Sequence, residues 1–306
     1  MTPAIQRYHH REIIFFIRNL PSTQNGHTVT DSPNNRDIAA DPVISPSKSR
    51  RVLSAFLDSP FAGMSPWILM ALITGPGRFE EAAAAAFGLS LLLVLGGHRR
   101  GSSIKFLEAF DVTYFAVLVL LAQFGSDGLI NWLEHWGGEM TNIALVSFAL
   151  GSILIRQPFT LQYAKESTPE ELWKNPLFLH INYMITWSWV IGFGVAAAAG
   201  FYGDAVLDDS GNFWTGWIIQ LAGTIFALSF TEFYPDYATD REAQKRGEDV
   251  SPQSLARLWD WVPIFVIVTG IAGLITDSLS TTVGLIIIAV GVVLKLAMAR
   301  LLPAPR

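Results

Sequence analysis

The sequence predicts an all-α, polytopic transmembrane bundle of about eight spans, with both termini in the cytoplasm. Three observations predict it. Hydrophobic residues make up 51% of the 306-residue chain and charged residues only 15%, against about 25% charged in an ordinary soluble domain. Apolar runs recur at the length of a bilayer crossing, about 20 residues. The Lys and Arg residues between those runs fall almost entirely on alternate connections, as the positive-inside rule requires.

Residues 1–50 stand apart. The stretch STQNGHTVTDSPNNRDIAADPVISPSKS is rich in Ser, Thr, Asn, Asp and Pro and lacks an apolar period, so it reads as a disordered tail. Its one apolar run, Ile13 to Ile17, is shorter than a signal-peptide core of about 7–15 residues. Residues 51–306 form the transmembrane domain.

Eight spans follow in order: Val52–Gly75, Glu81–Gly97, Leu107–Gly125, Met140–Ile155, Leu179–Tyr202, Phe213–Tyr234, Trp261–Thr276 and Thr281–Leu302. A tight turn, Gly75 to Arg78, joins the first two. Five segments on one side carry sixteen Lys and Arg residues, and the opposite side carries a single one, Arg78. The loops expected outside are acidic, with Asp127, Glu134, Glu139, Asp204, Asp208, Asp209 and Asp277. Tryptophans 132, 136, 214, 217, 259 and 261 sit near the expected interfaces, where amphipathic rings belong. Glycines 192, 194, 270, 273, 284 and 291 suit close helix packing.

One polar connection, RQPFTLQYAKESTPEELW at residues 156–173, is more elaborate than topology demands. Arg156 ends the fourth span, and Pro158 stops or kinks the helix. Phe159 and Tyr163 lie one turn apart on a short helical stretch that suits the interface plane. Thr168, Pro169 and Glu171 have the spacing of a capping box that opens a helix through Leu172 and Trp173. All of this is consistent with helix punctuation alone.

The same residues carry a resemblance. Arg156 and Pro158 closing a span, then Pro169 and Trp173, then Asn182, Trp187 and Trp189 early in the next span, resemble the bacterial intracellular septation protein A group and its broader relatives. The stretch KFLEAFDVTYFAVL, Lys105 to Leu118, is similar to those relatives too. The resemblance spans about residues 95–200. It implies a non-enzymatic, multi-pass protein of the bacterial inner membrane acting in division or envelope maintenance. Its partners would be the lipid bilayer and other envelope or division membrane proteins, with a homo-oligomer as a further expectation. Pro158, Pro169, Glu171 and Trp173 would belong to the interaction segment.

Ionisable residues inside spans are costly and carry a functional hypothesis by default. Asp111, Arg156, Asn182 and Glu232, together with Asp58 and Lys295, fall near the cytoplasmic ends of their spans. They could line a cytoplasm-facing polar cavity for a small solute or ion, or each could be an interfacial residue paired locally. Gln220 and Thr224 are the best polar pair within a span and suit hydrogen bonds across helices.

A remote third reading is a membrane prenyltransferase-like enzyme. Asp236 and Asp240, four residues apart, share a helix face and could hold Mg²⁺ and a pyrophosphate. Such chemistry needs a second acidic motif, and the loop GHRRGSSIK, residues 97–105, has no acid. The chain has no cysteine, which excludes disulfides, thiolate zinc sites and cysteine nucleophiles. The histidines lack ligand spacing. No phosphate-binding glycine loop or nucleic-acid face is present, so no cofactor, metal or nucleic acid is expected.

Overall fold

The computed structural model describes residues 60–75 and 77–301. Among these residues all regular structure is helical. The α-helices are α1 (Pro60–Ile73), α2 (Phe79–Arg99), α3 (Phe106–Phe124), α4 (Asp127–Leu154), α5 (Phe159–Glu166), α6 (Pro176–Ala205), α7 (Ile219–Lys245), α8 (Val262–Ile275) and α9 (Thr281–Leu301). A π-helical segment, Phe213–Ile218, runs directly into α7, and short 3₁₀ turns cover Glu170–Leu172 and Leu255–Trp259.

Seven of these helices are long and apolar enough to cross a membrane, counting Phe213–Lys245 and Leu255–Ile275 as single spans. Lipid demands this architecture, because a helix satisfies its own backbone hydrogen bonds where no water can. Large apolar side chains cover the outside: Leu72, Leu92, Leu120, Phe124, Ile191, Ile275 and Val293 are all exposed. So much open apolar surface is stable only against lipid or a partner. Trp132, Trp214, Trp217 and Trp259 are exposed as well. The chain is a multi-pass membrane protein.

The first expected span is represented by α1, whose 14 residues fall short of a crossing. Its expected start, the tail expected to be disordered, Asp58 and Leu302 at the end of the eighth span lie outside the described residues.

The centre of the bundle is α6, which packs on α4, α5 and α7. Asn175 caps its start, the side chain accepting from the Leu177 N–H at 2.8 Å. Against α7 the approach is backbone to backbone. A Cβ on Gly192 would stand 2.6 Å from the Gly223 carbonyl oxygen, and one on Gly223 2.6 Å from that of Gly192. The pair α8 and α9 packs the same way. A Cβ on Gly270 would meet the Gly284 carbonyl at 2.9 Å, and one on Gly291 the Pro263 carbonyl at 3.0 Å. Gly273 and Gly284 are filled by Leu279 and Leu274. Gly194 faces open space, so it is not a packing glycine.

Several element boundaries differ from expectation. Helix α4 begins at Asp127, not Met140, after a two-residue link from α3; the Ser126 hydroxyl accepts from the Leu129 N–H at 3.4 Å. Glu134, His135 and Glu139 therefore lie within a helix instead of an outer loop. Acids interspersed among Leu, Ile and Trp dilute hydropathy without breaking helical periodicity. Asp204 likewise belongs to the last turn of α6. Helix α7 continues through Pro235 to Lys245, because proline removes one ladder bond without ending a helix that is otherwise supported. The Thr239 hydroxyl donates to the Pro235 carbonyl at 2.7 Å. The charged stretch after Tyr234 is thus a helical extension.

Candidate functional site

Polar side chains converge where the connection at 156–173 meets the start of α3. The connection begins with a Schellman closure of α4. The Arg156 N–H bonds to the Ile153 carbonyl and the Gln157 N–H to that of Ser152, both at 2.9 Å. Arg156 occupies the left-handed position, with φ of 60°, a place glycine usually takes. Ser152 joins the two helices: its hydroxyl donates to the Ala149 carbonyl and accepts from the Phe159 N–H at 3.2 Å. Pro158 is fully buried beneath the turn.

Helix α5 then turns into the bundle. Phe159, Thr160, Leu161 and Tyr163 are buried, so α5 is a wedge among α3, α4 and α6 and not a helix lying on the lipid interface. Phe159 packs on Phe148 and Trp189. The Thr160 hydroxyl lies 3.0 Å from the Asn182 carbonyl and 2.8 Å from the Thr186 hydroxyl. The Gln162 side-chain Oε1 accepts from the Phe106 N–H at 2.6 Å, satisfying one of the orphan donors at the start of α3.

Lys105, 2% exposed, is the hub. Its ammonium pairs with Glu108 at 3.4 Å and with Glu166 at 3.2 Å, and it sits 4.9 Å from the centre of the Tyr163 ring. The Lys105 N–H donates to the other Glu108 oxygen at 3.2 Å. Burying a lysine is tolerable only with such pairing. The Tyr163 hydroxyl is buried without a hydrogen-bond partner, and a Cβ on Gly63 of α1 would stand 2.8 Å from it. Burial, and then the charges of Glu108, Asp111 and Glu166, push the Tyr163 phenol well above its usual range. One turn further along α3, Asp111 is 1% exposed, and its Oδ1 accepts from the Trp67 indole N–H at 2.7 Å.

The expected capping box at Thr168 does not form. Pro169 precedes a three-residue 3₁₀ turn that makes no side-chain capping bond. The Thr168 carbonyl instead accepts from the Trp173 indole at 2.9 Å, and Lys165 lies 5.0 Å over that ring. Trp173 folds back onto its own loop, which leaves Glu170 and Glu171 exposed.

The four expected cavity residues have separate surroundings. Asp111 faces Trp67. Asn182 is buried and donates to the Phe178 carbonyl at 2.9 Å. Arg156 and Glu232 are exposed, as is Lys295. Among the described residues, no hydrogen bond or ion pair joins any two of Asp111, Arg156, Asn182 and Glu232. Asp236 is exposed on α7 and accepts from Gln253 at 3.2 Å. No group of three or more His, Asp or Glu side chains able to hold a metal occurs among the described residues. Gln220 does bond across helices, accepting from Asn142 at 3.1 Å, whereas Thr224 bonds within α7 to the Gln220 carbonyl. Sequence reasoning missed Lys105, Tyr163 and Glu139. The first two could have been found as a cation and an aromatic flanking the Asp111 segment and the α5 motif. No family model, curated relative or solved structure matches the chain.

Proposed function

We propose that the chain is a non-enzymatic protein of the bacterial inner membrane that acts in septation or envelope maintenance through contacts at its cytoplasmic face. One observation carries this reading. Residues 156–173 are pinned to three helices by Lys105, Phe106, Ser152, Asn182 and Thr186, while Arg156, Glu170 and Glu171 stand exposed as a charged rim. A segment held so firmly yet charged outward suits a recognition surface, since preorganisation lowers the entropy cost of binding. The septation protein A resemblance and the concentration of Lys and Arg on this side support the same reading, with both termini cytoplasmic. The test is a C-terminal fluorescent fusion in dividing cells. The fusion is expected at the septum, and replacing Arg156, Glu170 and Glu171 by Ala should disperse it along a membrane that still holds the protein. An even distribution of the wild-type fusion argues against a division role.

A second reading, transport of a small solute or ion, is favoured by the buried carboxylate of Asp111 within α3. It predicts solute flux in proteoliposomes that Asp111→Asn abolishes. Unchanged flux removes Asp111 from any pathway.

A further inference from the structure

A second polar cluster lies away from Lys105, toward the end of α6 and the start of α7. Glu139 stands near the midpoint of α4 and is 3% exposed. His135, Glu139 and Asn142 share one face of that helix by their spacing. Opposite them, α6 presents Gly200, Gly203 and the buried Asp204. From the third side come Thr215, in the π-helical segment, and Gln220. Asn212 holds that segment open, its side chain accepting from the Trp214 and Thr215 N–H groups at 3.1 and 3.2 Å.

Two buried oxygens in this cluster are without partners. Glu139 Oε2 has none, although the Asn142 side chain and the Phe201 backbone lie near the carboxyl. Thr215 Oγ1 has none either. The Asn142 amide donates to Gln220 Oε1 at 3.1 Å and the Gln220 amide to the Thr215 carbonyl at 2.9 Å.

Both orphaned oxygens point at glycines. A Cβ on Gly200 would collide with Glu139 Oε2, and one on Gly203 would stand 2.5 Å from Thr215 Oγ1. The two oxygens thus fill the space that Gly200 and Gly203 leave, and line a cradle of acceptors on the face of α6 that ends at Asp204. The charges of Glu139 and Asp204 interact, and His135 approaches Asp204.

Two buried carboxylates whose charges interact are penalised when both are ionised without a positive charge nearby. A buried acceptor without a donor is destabilising. A cation removes both penalties at once. The donors are hard oxygens, and softer metals that prefer imidazole or thiolate are poorly served. Ca²⁺ takes 6–8 oxygen ligands and Mg²⁺ a near-octahedral set, more than Glu139, Asp204 and Thr215 offer.

We infer that Glu139, Asp204 and Thr215 bind one small alkali cation of the sodium class in the cradle beside Gly200 and Gly203. The inference is independent of the proposed role of residues 156–173.

The test uses the purified full-length chain in detergent. Thermal unfolding, read by tryptophan fluorescence, is compared in sodium chloride and choline chloride at equal ionic strength and fixed pH. Binding of radioactive sodium to the wild type is measured alongside. Sodium is expected to raise Tm saturably, with choline inert. Glu139→Gln and Thr215→Val should each weaken the apparent sodium affinity about tenfold or more, a factor within reach of one lost ligand. Equal Tm in both salts with no sodium bound would overturn the inference. So would a sodium effect retained in both variants. A Tm that follows pH identically in both salts would mean that a proton occupies the cradle, and would overturn it too. If neither variant folds, the wild-type sodium binding decides alone.

Discussion

The Trp67 indole N–H donates to Asp111 Oδ1 at 2.7 Å, tying α1 to α3 by a buried hydrogen bond. The Trp67 ring also stacks on Tyr114, with centroids 4.9 Å apart, and packs against Phe115 at 4.8 Å. Trp67→Phe keeps an aromatic ring there and removes the donor, leaving the Asp111 carboxyl buried with one partner fewer. We expect a loss of about 1–3 kcal/mol, read as a lower Tm in detergent. Adding Asp111→Leu should recover part of that loss, since the pair then disappears together. A double mutant no better than the sum of the two single changes would show that the bond contributes little.

Arg156 occupies a left-handed backbone position, φ 60°, that glycine adopts without strain. Arg156→Gly should therefore leave stability unchanged or raise it by up to about 1 kcal/mol. If the exposed guanidinium contacts a partner, the same change abolishes that contact while the protein remains folded. Thermal unfolding and the septal location of the fusion, measured on one variant, separate backbone from side chain.

The Tyr163 phenol titrates well above its ordinary value of 10.0, chiefly because it is buried and then because Glu108, Asp111 and Glu166 surround it. The unfolded chain releases this proton near the ordinary value and the folded chain holds it to higher pH. The folded state therefore binds more protons above that value, and stability must fall as pH rises through it. Tyr163→Phe should flatten the alkaline loss of Tm. At neutral pH it should be neutral or slightly stabilising, because the hydroxyl has no partner. A Tm that drops on this change at neutral pH would mean the hydroxyl is bonded in the membrane-embedded protein.

Gly192 and Gly223 set the approach of α6 and α7. Gly192→Ala should lower stability by about 1–3 kcal/mol, the usual cost of overfilling a packed contact. Its blocking atoms are backbone and cannot swing away. Gly194→Ala, two residues on and facing open space, should cost nothing measurable. Similar Tm values for the two variants would mean that the helices separate more readily than their packing implies.

Much of this architecture was legible from composition and period. The apolar runs from Glu81 onward all became helices, because lipid leaves the backbone no alternative. The start of α4 was hidden, since Asp127, Glu134 and Glu139 lowered the hydropathy of a stretch that is nonetheless helical. The capping spacing at Thr168 and Glu171 was present but unused, because the Trp173 indole captures the Thr168 carbonyl. Asp111 was singled out as an ionisable residue within a span, and the fold buries it. Its partner Trp67 lies 44 residues away, and no local pattern reports such a pairing.

The sequence by itself determined that this chain is a bundle of membrane-crossing helices, and roughly where each one runs. Apolar length and helical backbone bonding are local properties, summed along the chain. The tertiary structure alone decided which polar groups meet. Glu139 is orphaned because Gly200 of α6 admits it, Lys105 is buried because α5 turns inward to pair with it, and Glu232 stays outside. Those outcomes depend on how each helix is rotated about its axis and how closely glycines let it approach its neighbours, and that is a property of the packed bundle.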